Sequence, residues 1–236
     1  MPVHPVESVH AHRVPRMRAI VAVAVLPLVV VACGAGSETD IEVAGPAAVE
    51  AAATELTDAS DATLTASDVA ALLWMREEEQ LAHDVYVVLG DLWDVRIFDN
   101  IASSEQTHVD AVVRVLDRYG IDDPAAANER GTFSDQRIQS LYDELVAKGS
   151  SSLDAALEVG ALIEELDISD LRARSSATDV DVLASLYAQL EQGSRNHLRA
   201  FSSQLEARGV AYEPTQLAAD EYEAIVSTPT ERGRDS

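Results

Sequence analysis

Glu105-Gln106-Thr107-His108 and, much further along, Ser194-Arg195-Asn196-His197 are the stretches on which the reading of this chain turns. Residues three apart on a helix lie one above the other. The first stretch therefore puts a carboxylate and an imidazole on one face. The second keeps the histidine but has serine where a glutamate would repeat the pattern. The first stretch belongs to a helix expected over about 100–119 and closed by Gly120. Its apolar stripe is Ile101, Glu105, His108, Val112, Val115 and Tyr119, spaced by fours and threes. The second belongs to a helix expected over about 179–208 and ended by Gly209. Its stripe is Leu183, Leu186, Leu190, Ser194, His197, Phe201 and Leu205.

Each of these helices follows one that carries an inward-looking acid. A helix is expected from about Ser67 to Leu92, with Thr65-Ala66-Ser67-Asp68 as its capping signal. Its stripe is Ala71, Met75, Glu78, Ala82, Val85 and Leu89, with Glu78 the only charge. Another is expected to begin at the cap Ser151-Ser152-Leu153-Asp154 and run to about Arg172. Its stripe is Leu153, Leu157, Gly160, Glu164, Asp167 and Leu171. The halves thus repeat: helix with acid, then helix with histidine. The link over 120–151 is long and carries a short helix over about 134–148. The expectation is an all-α four-helix bundle with one long crossover carrying a short extra helix.

Burying a lone carboxylate costs several kcal/mol unless something pairs with it. One shared cation would account for all the polar interruptions at once, and glutamates with histidines are the ligands of a carboxylate-bridged dinuclear site. A hydrogen-bonded polar layer that fixes helix register is the alternative. A single Glu-x-x-His arises readily by chance in a chain so rich in glutamate. The argument rests on its company: two of the three histidines beyond the first 32 residues sit mid-stripe. The third, His83, falls on the polar side of its helix, with Glu79 as its expected surface partner. Glu77, Glu79 and Glu165 read as solvated acids or acids just outside the site, and Trp74 and Trp93 as core aromatics. Gly193 reads as a point of close helix packing or as room for a ligand beside His197.

Composition sets outer bounds. The 236 residues suit one domain with appendages, and 47% hydrophobic content supports a core. The formal charge of −24 excludes nucleic acid as a partner. Cys33 is the only cysteine, so no internal disulfide or Cys-x-x-Cys knuckle exists. Residues 19–32 form an apolar run behind Arg16 and Arg18 and contain Pro27. The run is shorter than the roughly 20 residues a membrane-spanning helix needs and matches a signal-peptide core. Val30-Val31-Ala32-Cys33-Gly34 resembles the bacterial lipoprotein signal, which implies lipid on Cys33 and a mature chain that starts there. A conventional cleaved signal and an uncleaved anchor are the alternatives, and Met17 is a second candidate start. Residues 33–66 read as a flexible acidic tether, 67–226 as the helical domain with a short helix over about 218–225, and 227–236 as a disordered tail.

Four blocks carry a wider resemblance: Met75 to Tyr86, Phe98 to His108, Ile163 to Leu171, and Gly193 to Phe201. Together they resemble the DUF2202 family, placed in the ferritin-like superfamily, over about 68–226. The resemblance implies a ferritin-like bundle and a di-iron centre that reacts with oxygen or peroxide. By position it implies Glu78, Glu105, His108, Glu164 and His197 as metal ligands, with Glu105 bridging. Ser194 departs from the pattern, and Asp167, one turn from Glu164, is the candidate replacement for the lost carboxylate. Oxygen ligands with imidazole suit iron, with manganese or zinc as other occupants. The expected protein is a lipid-anchored, extracytoplasmic metalloprotein of a bacterial cell envelope that oxidises Fe(II) or reduces peroxide. Its electrons would come from Fe(II) itself or from an external donor, and a homodimer is the easiest assembly to picture. A non-catalytic metal-binding bundle that docks another envelope component is the rival expectation.

Overall fold

The computed structural model describes residues 63–232. Cys33, the apolar leader and all but the last residues of the tether lie outside that range. The described residues form six helices and no strand: α1 Ala66–Trp93, α2 Arg96–Tyr119, α3 Gln136–Gly149, α4 Leu153–Ala177, α5 Asp181–Ala207 and α6 Ala219–Val226. None of them is long and apolar enough to cross a membrane.

Local chemistry sets the helix ends. Thr65 and Asp68 form a reciprocal capping box at the start of α1. Ser152 caps α4 through the amide of Ala155. Gly120 closes α2 in the left-handed region at φ 63°. Asp94 takes the same region at φ 53°, a conformation short polar side chains tolerate, and so turns α1 into α2 across two residues. Residues 178–180 turn α4 into α5 almost as tightly. Such short links make antiparallel hairpins. The two hairpins meet with α1 against α4 and α2 against α5, while the crossover helix α3 lies on α1 and α4.

The interior has two apolar regions. One is built around Tyr86, Phe98, Ile101, Leu157 and Phe201. The other is built around Leu72, Met75, Val112, Leu171 and Leu186. A layer of buried acids and histidines comes between them along each long helix. Rings of Tyr86, Phe98 and Phe201 contact one another at centroid distances of 5.3–6.4 Å. They close the first region beneath Gly160, where a Cβ would overlap the ring of Phe201.

Acids on the outer flanks hold the connecting segments. Glu77 of α1 accepts from the amides of Ser134 and Asp135, and Arg76 pairs with Asp123 at 2.7 Å. Glu165 of α4 is fully buried and accepts from the amides of Thr215, Gln216 and Leu217 and from the Tyr212 hydroxyl. Neither acid is solvated, which removes one of the two readings the sequence allowed for them. His83 pairs with its neighbour Asp84 at 2.8 Å rather than with Glu79.

The segment after α6 also departs from the expected disordered tail, as far as Arg232. Glu231 pairs with Arg195 and Arg199 of α5, and its backbone exchanges hydrogen bonds with the Asn196 side chain. Basic residues on the outer face of α5 supply partners that no apolar pattern signals.

Gly160→Ala tests the packing of the aromatic region. Even one methyl must displace Phe201, so a loss of about 1–3 kcal/mol is expected in urea unfolding. An unchanged midpoint would show that the ring has room to move.

Candidate metal centre

Glu105 occupies the middle of the layer and is fully buried. Helix geometry carries His108 one turn along α2, so that its Nδ1 lies 2.8 Å from Glu105 Oε2. From α5, His197 Nδ1 lies 2.7 Å from the other oxygen, Oε1. One carboxylate therefore reaches two imidazoles, one oxygen to each. The two ring centroids stand 5.5 Å apart, with their planes inclined by 26°.

Each imidazole has a second acid. Glu79 Oε2 of α1 is 3.1 Å from His108 Nδ1, and Glu164 Oε2 of α4 is 3.4 Å from His197 Nδ1. This gives two groups that could hold a metal ion, Glu79–Glu105–His108 and Glu105–Glu164–His197, sharing Glu105. Tyr86 donates to Glu164 Oε1 at 2.5 Å and fixes that carboxylate. His197 Nε2 faces the Ser104 hydroxyl at 3.0 Å, which leaves Nδ1 for the acids. Gly193 lies against His108, not beside His197 as one reading of the sequence had it. A Cβ there would stand 2.5 Å from His108 Nε2.

The first helix presents Glu79, not the Glu78 singled out by sequence. The Glu78 carboxylate is turned aside, accepting from Trp74 Nε1 at 2.9 Å. The physical reason is the breadth of the buried face of α1, which packs on α2, α4 and the crossover. Leu72, Met75, Glu79, Ala82, Tyr86 and Leu89 are all fully buried and keep threes-and-fours spacing as well as the expected stripe does. The rotation between the two stripes is about one residue, and a single sequence holds no signal that separates them.

Ser194 is buried, and its hydroxyl bonds back to the Leu190 carbonyl of its own helix. It offers the layer nothing. Asp167 is buried on α4, and both its oxygens lack a hydrogen-bond partner. The layer thus holds four acids, Glu79, Glu105, Glu164 and Asp167, and two imidazoles. By residue type that is the donor inventory of a carboxylate-bridged dinuclear site, but Asp167 belongs to neither metal-holding group, so it lies near the layer without converging on the shared Glu105.

Buried polar atoms are rarely left without a partner. Here Glu79 Oε1, both oxygens of Glu105, Glu164 Oε2, both oxygens of Asp167 and His197 Nδ1 all are. Glu105 oxygens approach the imidazole nitrogens closely yet are not aligned for hydrogen bonding. Apart from the His108 Nδ1–Glu79 Oε2 hydrogen bond, the donor atoms around Glu105 converge without bonding one another, which fits a cation between them.

The electrostatics agree. Burial raises Glu79 to about 7 and Glu78 to about 8. Burial and the neighbouring acids raise Asp167 well above the usual carboxylate range. Burial opposes ionisation of Glu105, but His197 and His108 outweigh it and lower its pKa. Burial also opposes charging of His197, yet Glu105 and Glu164 raise it to about 9. Without a cation the layer must hold protons. Divalent ions would take their place, because ligands bind metal deprotonated.

Residues 68–229 match the family described as an uncharacterized protein domain, DUF2202. The chain belongs to this family. It is 48% identical over 162 residues to the uncharacterized protein MJ0754 of Methanocaldococcus jannaschii, covering 69% of this chain and 88% of that protein. The crystal structure described as hypothetical protein MJ0754 from Methanococcus jannaschii superposes with a TM-score of 0.72 at 44% identity, covering 74% of this chain and 99% of that one.

The proton load predicts how metal-free stability depends on pH. Unfolded Glu78 and Glu79 ionise near 4.5, whereas the folded groups hold their protons to about 8 and about 7. The unfolded state then binds fewer protons, so stability falls as pH rises through this window. His197 acts with the same sign: its raised pKa stabilises below its ordinary 6.5, and that contribution is lost as pH rises through about 9. The melting temperature of chelator-treated protein should therefore fall from pH 5 to pH 9. Added divalent metal should oppose the fall. A flat or rising profile without metal would contradict the protonated layer.

Proposed function

We propose that this protein is a ferritin-like di-iron protein of the cell envelope, anchored by lipid on Cys33, that oxidises Fe(II) or reduces peroxide. The supporting observation is the set of buried, unpartnered donor atoms around Glu105. In this reading Glu79 and His108 would hold one ion and Glu164 and His197 the other, with Glu105 common to both groups and Asp167 a nearby buried acid that would add negative charge. Nitrogen and oxygen donors of this kind suit iron, and manganese or zinc are the other occupants they accept.

Two ferrous ions would supply the two electrons needed to reduce peroxide to water. The chain's own residues set the conditions. Layer residues are 0–1% exposed, so the site is shielded from bulk water, and small species such as Fe(II), dioxygen or peroxide are the substrates this reading admits. Tyr86 holds Glu164 in place from the side away from His197. Cys33 is the sole cysteine, so no cysteine-bound electron carrier lies in the chain, and renewed turnover draws on an external donor.

Ser194 favours a second reading, because α5 contributes no carboxylate and its hydroxyl is spent on its own helix. A non-catalytic metal-binding bundle would be content with this arrangement.

Elemental analysis of purified protein should find about two metal ions per chain. Glu105→Ala should lose both, since each group shares that residue. Unchanged metal content in that variant would sink the assignment. Dioxygen or peroxide consumption by the Fe(II)-loaded protein separates the two readings. Loss of consumption in Glu164→Ala and His197→Ala supports catalysis, whereas metal bound without consumption supports the non-catalytic bundle. Cys33→Ala should abolish labelling by radioactive palmitate and release the protein from the membrane fraction; labelling that persists would overturn the anchor.

A further inference from the structure

The buried layer poses a problem of access. Its acids and histidines are sealed from solvent, yet ions must reach them if the metal-binding reading holds. A cleft of about 410 Å³ opens between the first half of α1 and the last turns of α4, with Tyr187 of α5 on its wall. Trp74 and Asp170 line it. The Trp74 indole N–H is shared between Asp170 Oδ2 at 3.1 Å and Glu78 Oε2 at 2.9 Å. Asp170 is 38% exposed at its side chain, while Glu78 is 4% exposed. Beyond Glu78 come Glu79, its neighbour in the chain, and Asp167, whose carboxyl feels the charge of Glu78.

We propose that this cleft is the passage by which divalent cations reach the layer, handed from Asp170 to Glu78 beneath the Trp74 indole and then to Asp167 and Glu79. The proposal rests on the metal-binding reading above. Three observations carry it. Glu78 is a buried acid that neither metal-holding group uses. It shares the Trp74 indole N–H with Asp170, which puts it beside an acid of the cleft. Asp167 stands at the inner end with both oxygens unpartnered, and the Tyr187 hydroxyl on the cleft wall is buried and unpartnered as well. The three acids step from partly exposed, through nearly buried, to buried.

Arginines at the mouth act as a gate rather than as ligands. Arg174 pairs with Asp170 at 3.1 Å and spends its Nε on the sulfur of Met75, a weak acceptor. Arg137 pairs with Asp135 and lies over the Trp74 ring at 4.5 Å. Partly exposed pairs of this kind are weak, so an arriving dication can displace the Arg174 guanidinium from Asp170.

Stopped-flow uptake of Co(II) by the full chain tests the passage, read by the growth of cobalt visible absorption, with equilibrium stoichiometry measured on the same samples. Glu78→Gln should keep the stoichiometry of the unmodified protein and slow uptake severalfold, because it removes the carboxylate between Asp170 and the layer. Ala173→Trp places a plug at the exposed mouth, away from both ligand groups, and should slow uptake in the same way. Arg174→Ala should quicken it. Unchanged rates in Glu78→Gln and Ala173→Trp, with full cobalt bound, would overturn the passage and leave the metal site standing. Lost stoichiometry in Glu78→Gln would also overturn it, by making Glu78 a ligand. No cobalt bound by the unmodified protein would remove the metal-binding reading itself.

Discussion

Everything in this bundle is arranged around one carboxylate held between two imidazoles. Glu105 lies in the middle of a helical bundle, sealed from water, with His108 at 2.8 Å from one oxygen and His197 at 2.7 Å from the other. A charge in that position has to be compensated, because desolvation of a lone carboxylate costs several kcal/mol. The rest of the layer extends the same demand. Glu79, Glu164 and Asp167 add three more buried acids, against two imidazoles that can carry at most one positive charge each. Protons or metal ions must supply the balance, and that requirement links the stability of the fold to what occupies its centre.

The same acidic runs on α1 and α4 do two kinds of work. On α4, Glu164 turns inward to His197 while its neighbour Glu165 turns outward and gathers three successive amides of the segment before α6. On α1, Glu79 faces His108, Glu77 holds the crossover, and Glu78 lies between them against Trp74. Adjacent residues on a helix point about 100° apart, so a run of glutamates serves several faces at once. The polar layer and the straps on the outside of the bundle are thus drawn from consecutive residues of the same two helices.

Much of the architecture is legible in the residues. Thr65 with Asp68, Ser152 and Gly120 mark helix ends, and stripes spaced by threes and fours mark the buried faces. The spacing of Glu105 and His108 puts both on one side of α2 whatever surrounds them. Legibility fails where a helix is buried on more than one side. Glu78 and Glu79 fit neighbouring stripes equally well, and only the position of α2 and α4 selects Glu79. It fails again for Glu77, Glu165 and Glu231, whose partners are backbone amides or arginines distant in sequence. No periodicity encodes a partner of that kind.

What the sequence by itself determined, then, is the set of local facts: helix content, helix ends, the crossover, and a carboxylate and histidine on one face of α2. These follow from 3.6-residue periodicity and capping chemistry, which act within a few residues. Tertiary structure decided which acids meet. It brought Glu79 rather than Glu78 to His108, buried Asp167 on α4 where α5 offers only Ser194, and turned Glu78 toward the Trp74 indole. The reason is rotational. A difference of one residue turns a side chain by about 100° around its helix, and the angle is settled only when neighbouring helices pack.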